Sequence, residues 1–399
     1  MIFKFEKRFI EFINKHLDIL FFVIMLLLSL VIRYVLLGYL SKDFTDFLDP
    51  WFDEIKGLGF KKAMVTQVGN YNVPYQILIS IMTYIPGIST VTLYKLLSIA
   101  FDYLLAFSCA LFVKEVIGKD DKRVLSAVFL GVLFLPTVVL NSAAWAQCDS
   151  IYVSFIILAL IFLYKNKPFW AFLMLGLSFS FKLQVILIIP FFLYMYFSKK
   201  NFSILHFLII PATDVVMCLP AILCGRSVKA TLEVYLLQTD YYDQMSMSAL
   251  NFWQLMGGEG EQFVYLRNYA IIFTAAILGC GLYLFLRNKP AFRESKEAFI
   301  SIALWTMYAT FMFLPAMHDR YSFGIEILFL LLMLLGGKKN TVFFIVSQVM
   351  GTVNYAGYLI RTDYDKRAWA VVDLILFLCV TFEYVIKPYK EARKSGNDI

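Results

Sequence analysis

The chain has 399 residues, of which 60% are hydrophobic and only 16% are charged, whereas a soluble domain carries about 25% charged residues. This composition excludes an ordinary soluble globular protein and indicates an all-α polytopic membrane protein, because long apolar blocks separated by short charged segments are typical of a transmembrane helical bundle. The formal net charge of +7 does not indicate nucleic-acid binding, since lysine and arginine mark the cytoplasmic loops of membrane proteins.

The apolar blocks predict about twelve transmembrane helices in a single membrane-embedded domain, residues 1–399. The predicted spans are residues 18–40, 91–113, 124–142, 150–164, 168–181, 183–197, 204–224, 264–286, 298–315, 322–336, 341–360 and 369–386. Segment 74–88 is apolar but crosses only about half a membrane, so it is a short span or a re-entrant segment and stays outside the count. The first span lacks a small-residue cleavage site, which predicts a retained helix and no cleavable signal peptide.

The lysines and arginines predict the orientation of this bundle. With the N-terminus in the cytoplasm, most of them fall in cytoplasmic segments, and both termini are then cytoplasmic in a multi-pass protein of the cell membrane. The opposite face receives three segments rich in polar and aromatic residues, 41–75, 225–262 and 316–321, and two short connections, 143–149 and 180–184. We therefore expect the active-site face to be extracytoplasmic.

The first of these segments begins SKDFTDFLDPWFDEIKGLGF and is strongly acidic. Asp49 before Pro50 has the pattern of a helix N-cap followed by proline at the first helical position. Gly57 and Gly59 are expected to end this helix, and Trp51 belongs to an apolar face that would lie along the membrane surface. The segment thus predicts an amphipathic helix in the first outer loop.

Two acids of this loop, Asp43 and Asp46, are left without a structural task. They follow the first span at the membrane boundary, where a carboxylate is partly desolvated and a like charge three residues away raises its proton affinity. A general base for a hydroxyl group needs such tuning. A solvated acidic loop is the alternative interpretation. Further along, Tyr71 and Asn72 in the string NYNVPY suit contact with a sugar or, equally, a tight turn.

Two short connections also carry polar residues at the same predicted face. The string AAWAQCDS contains Gln147 and Asp149, although Trp145 also fits an interface anchor and Asp149 a helix N-cap. Lys182 in FSFKLQ lies between two half-length apolar stretches, where it faces a lipid phosphate or snorkels to the interface.

The most specific local cluster is the string PAMHDRY, which packs His318, Asp319, Arg320 and Tyr321 into one short turn. Arginine and histidine supply hydrogen-bond donors that suit a phosphate. Segment 225–262 adds aromatic and amide side chains and a glycine-rich stretch that suggests a hinge, but it indicates no particular reaction. The six cysteines are scattered, without the spacing of a metal site or a disulfide framework.

These strings, in this order, resemble the GT-C superfamily of membrane glycosyltransferases, and within it the bacterial branch related to the eukaryotic GPI mannosyltransferase II. The matching strings are SKDFTDFLDPWF, NYNVPY, WAQCDSIY, FKLQ, SALNFW and MHDRY, which cover residues from about 41 to 321. The resemblance implies a GT-C type bundle that uses a polyprenyl-phosphate sugar as co-substrate. The sugar, mannose or another hexose, would pass with inversion to a glycan, glycolipid or protein acceptor.

The resemblance also assigns site residues. It makes Asp43 the catalytic base, with Asp46 as the second choice, and places His318 and Arg320 at the donor phosphate, joined by Lys182. The remaining candidates for substrate binding are Trp51, Tyr71, Asn72, Gln147, Asp149, Gln184, Asn251 and Tyr321. Metal-dependent relatives carry two acids one residue apart in the first loop, whereas Asp43 and Asp46 are three apart, so we expect no metal and no cofactor.

Two rival classes stay open. A transporter such as a lipid-linked oligosaccharide flippase would place ionisable residues at mid-membrane, and Arg33, Lys95, Asp102 and Arg267 lie within apolar blocks. A polysaccharide polymerase or ligase would use a diphosphate-linked donor instead. The sequence leaves the oligomeric state undetermined.

Overall fold

The computed structural model describes residues 3–239 and 242–394, and these residues are almost entirely helical. The α-helices follow one another in this order: α1 (Lys4–Leu36), α2 (Asp49–Val65), α3 (Val73–Met82), α4 (Thr90–Phe112), α5 (Lys122–Phe134), α6 (Pro136–Val139), α7 (Asp149–Tyr164), α8 (Pro168–Phe181), α9 (Ile189–Lys199), α10 (Ile209–Met217), α11 (Leu219–Leu223), α12 (Val228–Thr239), α13 (Phe252–Met256), α14 (Glu261–Leu286), α15 (Pro290–Arg293), α16 (Lys296–Phe313), α17 (Phe323–Met333), α18 (Lys338–Leu359), α19 (Lys366–Thr381) and α20 (Lys387–Lys394).

Short π- and 3₁₀-helical turns extend several of these helices. The π-helical turns are Phe44–Leu48, Val113–Ile117, Leu140–Ala144 and Phe382–Ile386, and the 3₁₀ turns are Leu183–Ile188 and Ile204–Leu208. Two two-residue strands, β1 (Ser246–Met247) and β2 (Met317–His318), pair in parallel, with Ser246 opposite Met317 and Met247 opposite His318. π-helical turns are frequent at functional sites, and two of those seen here carry residues of the site described below.

Five helical segments of the described residues are long and apolar enough to cross a membrane, and the bent pair Lys122–Phe134 and Pro136–Ala144 makes a sixth if it is one span. The five are Lys4–Leu36, Thr90–Ile117, Glu261–Leu286, Lys338–Leu359 and Lys366–Lys394. The predicted all-α membrane protein is confirmed at this level. Helices also coincide with the other predicted spans, but most of these are short apolar helices of 10 to 17 residues, so the total of twelve stays a prediction.

Side-chain caps set the first residue of several long helices. The Ser89 side chain accepts a hydrogen bond from the Thr92 amide at the start of α4, and Ser295 does the same for α16. Asp121 and Asp365 cap α5 and α19 in the same way. Such caps satisfy amides that have no partner within the helix.

Basic residues from distant segments meet at one end of the bundle. The Lys119 and Lys296 ammonium groups each donate to a backbone carbonyl at 2.8 Å, those of Leu334 and Ile117. Lys339 pairs with Glu383 at 3.2 Å. The connections that contain these residues are those predicted to be cytoplasmic. We call this the basic end, and the other end, which holds the site, the site end.

The core includes side chains of α4, α7, α8 and α9 and centres on α16 and α17, in which nearly every side chain is buried. By contrast, α1 and α14 expose apolar side chains such as Leu27, Val31 and Ile272. An exposed apolar face on a long helix matches contact with lipid, because the hydrocarbon core favours apolar side chains.

Two local expectations need correction. Asp49 is not an N-cap, because the π-helical turn Phe44–Leu48 precedes it without a break and makes it the first residue of α2. Gly57 does not end this helix; the backbone kinks at Gly59, where φ is +70°, and continues to Val65. In segment 74–88 only α3 is a helix of appreciable length, ten residues. Segment 225–262 contains α12 and α13, and its residues 240 and 241 lie outside the described part.

Candidate active site

A cavity of about 650 Å³ opens at the site end. It lies between the first loop, the turn before α7, the turn Leu183–Ile188, the start of α14 and the turn that carries His318. Its lining includes Asp43, Phe47, Trp51, Asn70, Tyr71, Gln147, Lys182, Gln184, Ile186, Leu187, Gln238, Tyr242, Phe263, Arg267, Asn268, Ile271, Leu314, His318, Arg320 and Tyr321. One wall is therefore polar and another apolar.

Asp43 is fixed at the polar wall by three donors. Its Oδ2 accepts hydrogen bonds from Trp145 Nε1 at 2.8 Å and Gln147 Nε2 at 2.9 Å, and its Oδ1 accepts one from the Tyr358 hydroxyl. Arg320 Nη1 lies 3.5 Å from Oδ2. The side chain keeps 18% of its surface exposed toward the cavity. A carboxylate held in this way presents a fixed oxygen to a bound hydroxyl group.

The proton affinity of Asp43 differs from the expectation. Burial raises its pKa, but the Arg320 charge, the hydrogen bonds from Tyr358 and Trp145 and the nearby His318 together outweigh burial, so the pKa lies below its ordinary value. The prediction of a raised proton affinity is therefore wrong. That prediction was based on the nearby acid in the sequence, Asp46, and did not include Arg320, which the fold brings close to Asp43.

Arg320 bridges two carboxylates. Its Nε lies 3.7 Å from Asp149 Oδ2, its Nη1 is near Asp43, and its guanidinium lies over the rings of Trp145 and Tyr321. Burial opposes the charge, but the two carboxylates outweigh burial and raise the pKa of Arg320 above its ordinary value. Its Nε donates no hydrogen bond to any of the described residues, so the group is held by charge and ring contacts more than by directed hydrogen bonds.

Asp149 is the buried centre of a second set of contacts. Lys182 Nζ donates to Asp149 Oδ1 at 2.5 Å, and both side chains are at most 5% exposed. Asn141 Nδ2 donates to Asp149 Oδ2 at 2.7 Å. Lys182 Nζ also lies 6.0 Å from the centre of the Tyr71 ring. The predicted phosphate-binding lysine therefore reaches the cavity already paired with a carboxylate.

His318 and Asp319 form a dyad beside Arg320. Since an ionised carboxylate only accepts hydrogen bonds, His318 donates from Nδ1 to Asp319, which is buried. Arg320 Nη1 lies 3.5 Å from Nε2 of the same ring. The ring lines the cavity and is 16% exposed.

Two segments distant in the chain hold this dyad in place. Pairing of β1 with β2 places segment 246–248 against it, and the Asp319 amide donates to the Met247 carbonyl at 3.1 Å. Asn354 Nδ2 of α18 donates to the Asp319 carbonyl at 2.9 Å. Segment 225–262 thus supports the site through its backbone.

Aromatic rings form the wall on the side of the first loop. Trp51 contacts Tyr71 edge to face with 5.8 Å between ring centres, and Tyr71 lies 4.6 Å from Tyr75. The backbone at Gly69 approaches Trp51 so closely that a Cβ there would lie 2.5 Å from the indole, and Gly69 has φ of +65°. Glycine is therefore needed for the ring to keep this position.

The opposite wall changes from polar to apolar in the direction of the basic end. On α14, Phe263, Arg267 and Ile271 follow at intervals of four residues and all line the cavity. On the turn Leu183–Ile188, Gln184 precedes Ile186. Ile186 is 37% and Ile271 45% exposed although both line the cavity, so the apolar part of the cavity is not sealed at these two side chains.

Most of the predicted site residues meet in this cavity. Asp43, Trp51, Tyr71, Gln147, Lys182, Gln184, His318, Arg320 and Tyr321 line it, and Asp149 contacts it through Lys182 and Arg320. Three candidates lie elsewhere. Asp46 is exposed and contacts Thr45, Asn72 bonds to the Phe179 carbonyl and to Gln238, and Asn251 caps α13.

Sequence reasoning missed three contributors, Trp145, Tyr358 and Asn141. Trp145 was interpreted as an interface anchor, but its indole donates to Asp43 and stacks on Tyr358 with 4.2 Å between ring centres. Tyr358 comes from α18, 315 residues from Asp43, and nothing in its local sequence indicates the contact. Asn141 carried a usable signal, since it is a polar residue near the end of an apolar block.

No group of three or more His, Cys, Asp or Glu side chains with the arrangement of a metal site occurs in the described ranges 3–239 and 242–394. No protein-family model matches the chain, and no curated protein matches it significantly. Functional inference therefore rests on the geometry of the cavity.

Proposed function

We propose that the protein is a membrane glycosyltransferase of the GT-C type, which moves one sugar from a polyprenyl-phosphate carrier to an acceptor hydroxyl group. The observation that carries this proposal is the single cavity in which a fixed carboxylate, Asp43, faces basic side chains and an apolar wall. A lipid-linked sugar phosphate needs all three, because it combines a reacting anomeric carbon, an anionic leaving group and a long apolar tail.

In the proposed reaction the acceptor hydroxyl oxygen attacks the anomeric carbon while its proton passes to the Asp43 carboxylate. The bond from the anomeric carbon to the phosphate oxygen breaks, and its electron pair leaves with the polyprenyl phosphate. The sugar passes through an oxocarbenium-like state and its configuration inverts. Because the pKa of Asp43 is low, this carboxylate is fully ionised before the reaction and is a weak base. Most of the rate enhancement must then come from positioning and from charge stabilisation.

The leaving phosphate gains negative charge during this step, and basic groups at the cavity would stabilise it. His318 and Arg320 lie at the turn before α17, Lys182 lies opposite, and Arg267 adds a further basic side chain from α14. Preorganised donors of this kind are usually the largest catalytic term.

The isoprenoid tail would follow the apolar wall. Ile186, Leu187 and Ile271 lie toward the basic end from Gln184 and Arg267, so an amphipathic donor would place its phosphate at these polar residues and its tail along the partly exposed isoleucines. Apolar contacts there add little net energy, because lipid is as apolar as the wall. Their role in this proposal is to orient the donor.

The acceptor would lie on the side of Trp51 and Tyr71, with Asn70 and Gln238 as hydrogen-bonding partners. An aromatic face beside amide groups suits a saccharide, whose rings carry both C–H faces and hydroxyl groups. The acceptor is accordingly a glycan, a glycolipid or a glycosylated or unmodified protein hydroxyl. The proposal includes the twelve spans, cytoplasmic termini and an extracytoplasmic site.

The transporter alternative has less support. Arg33 and Asp102 pair with each other at 3.0 Å, and Lys95 donates to the carbonyls of Leu36, Leu37 and Tyr39 at 2.6–3.2 Å. These mid-membrane charges therefore have partners within the protein. Of the four, Arg267 lines the cavity, and its position suits a phosphate.

To test this proposal, purified protein in lipid nanodiscs is incubated with a panel of donors, and simple saccharides and water serve as acceptors. The donors are short-chain polyprenyl-phosphate hexoses and the matching diphosphate-linked sugars. We expect release of polyprenyl phosphate from at least one monophosphate donor. Consumption of diphosphate donors alone would favour the polymerase or ligase class. No turnover by folded protein, together with movement of a lipid-linked oligosaccharide across liposome membranes, would favour the flippase.

A further inference from the structure

The buried ion pair between Arg33 and Asp102 has no place in the reaction above, yet it lies directly beneath the site. Arg33 is in α1 and Asp102 in α4, and each is at most 2% exposed. Two bonds join them: Asp102 Oδ2 accepts from Arg33 Nε at 3.2 Å and from Nη2 at 3.0 Å. Arg33 Nη1 also donates to the Leu133 carbonyl at 3.0 Å.

Asp102 has two further donors, and both belong to the turn that carries the site. Ser142 Oγ donates to Asp102 Oδ2 at 2.5 Å, and Ser150 Oγ donates to Oδ1 at 2.6 Å. Ser142 directly follows Asn141, and Ser150 directly follows Asp149. One buried carboxylate therefore holds both ends of the segment 141–150.

That segment determines the geometry of the polar wall. Trp145 and Gln147 supply two of the donors that fix Asp43, and Asp149 holds Lys182 and lies beside Arg320. The turn is irregular, because residues 140–144 are a π-helical turn and Ala146 has φ of +63°. An irregular turn has few repeating backbone bonds of its own, so its shape depends on anchors outside it.

Stability alone gives little reason for the ion pair. Removing two charges from water costs about as much as their attraction returns, and apolar residues of similar volume often replace such a pair without loss. A carboxylate with four donor atoms from two segments does what an apolar residue cannot, since it fixes the direction of each donor.

We propose that Asp102, held by Arg33, is a positioning residue of the site. It joins α1, which leads to Asp43, with the segment 141–150, which holds the donors to Asp43 and the carboxylate partner of Lys182. This inference rests on the proposed function for its catalytic consequence but not for its structural content.

The experiment removes the hydrogen bonds from Ser142 and Ser150 to Asp102 and keeps the ion pair. Asp102 itself is not replaced, because its removal would leave Arg33 buried and unpaired. The test variant is Ser142→Ala with Ser150→Ala. The matched control is Ser98→Ala with Ser108→Ala. The hydroxyl groups of these two buried serines in α4 donate to backbone carbonyls four residues earlier, outside the segment 141–150.

The first readout is amide hydrogen exchange across residues 141–150 in nanodiscs without substrate. We expect exchange about tenfold faster in the test variant than in wild type, and no change in the control. The second readout is donor turnover, where we expect kcat to fall about tenfold with little change in donor KM, since misplaced groups act mainly on the transition state. A variant that combines Ser142→Ala with Ser150→Thr keeps one hydroxyl group, and it should recover part of the exchange protection and part of kcat.

The two readouts separate the inference from the proposed function. Exchange equal to that of the control overturns the positioning role whatever the activity is. Faster exchange with unchanged kcat also overturns it, because the turn would then be anchored without effect on the site. If the wild type turns over no donor, the proposed function fails, and exchange alone decides the structural role of Asp102.

Discussion

Replacing Asp43 with asparagine is the sharpest test of the proposed chemistry. The change removes one negative charge and almost no volume. An amide can turn its oxygen toward Trp145 Nε1 and Gln147 Nε2 while its NH₂ donates to the Tyr358 hydroxyl, so all three contacts survive in kind. What is lost is the proton acceptor and the charge 3.5 Å from Arg320. We expect transfer to fall about 10²- to 10⁴-fold, the usual contribution of a general base.

The cost to the fold should be small by comparison. Hydrogen bonds to a charged group exceed those to a neutral one by about 1 kcal/mol, which corresponds to a change of a few degrees in the thermal midpoint. The assay is release of polyprenyl phosphate, with the thermal midpoint measured on the same preparation. Asp53→Asn on the exposed face of α2 is the matched control, and Asp46→Asn decides between the two candidate bases. Full turnover by a folded Asp43→Asn protein would refute the assignment.

Three further predictions follow from the same cavity. Arg267→Gln should raise the donor KM several-fold, whereas Arg287→Gln at the far end of α14 should not; equal KM values in titrations of donor would remove Arg267 from the phosphate site. Lys182→Met should destabilise the protein by about 3 kcal/mol, as expected when a buried charge loses its partner, and adding Asp149→Asn should recover part of the loss. If thermal unfolding shows the double variant no more stable than the single one, the pair does not act as a unit. The pKa of Asp43 is lowered in the folded state. The ionised carboxylate and the stability that it confers are therefore fully present above the pKa of an unfolded aspartate, and they are lost only as the pH falls through the lower pKa of the folded state. The transfer rate should therefore not fall through protonation of Asp43 between pH 7 and about pH 5. A decrease in rate on acidification within that range that is absent from Asp43→Asn would contradict this expectation.

The helices were largely predictable, because long apolar blocks bounded by charges leave few alternatives to a membrane bundle. The convergence of Asp43, Gln147, Lys182 and Arg320 was also accessible. Each of them follows or precedes an apolar block, and alternation along the chain assigns all of them to one face. No knowledge of side-chain contacts was needed for this step.

What failed depended on partners that are distant in the chain. The proton affinity of Asp43 is set by Arg320, 277 positions later, and not by Asp46. Asn72 and Asn251 suited a sugar-binding role equally with a local structural one, and in the fold their amides bond to the backbone. Aromatic residues such as Trp145 and Tyr358 occur commonly at membrane interfaces, so their type alone does not indicate contact with the Asp43 carboxylate.

The charge balance of the cavity bears on which donor it favours. Asp43 and Asp149 oppose Arg320 and Lys182, so these four groups are neutral together. The other charged groups near the cavity are Arg267 and the dyad of His318 with Asp319. A donor phosphate must therefore share Arg320 and Lys182 with the two carboxylates or lie near Arg267. A monophosphate-linked sugar brings one negative charge and develops a second on leaving, whereas a diphosphate-linked sugar brings two and develops a third. Each additional negative charge is costly in a largely desolvated site. We therefore expect a preference for the monophosphate donor, and the ratio of kcat/KM for paired donors with the same sugar and tail measures that preference directly.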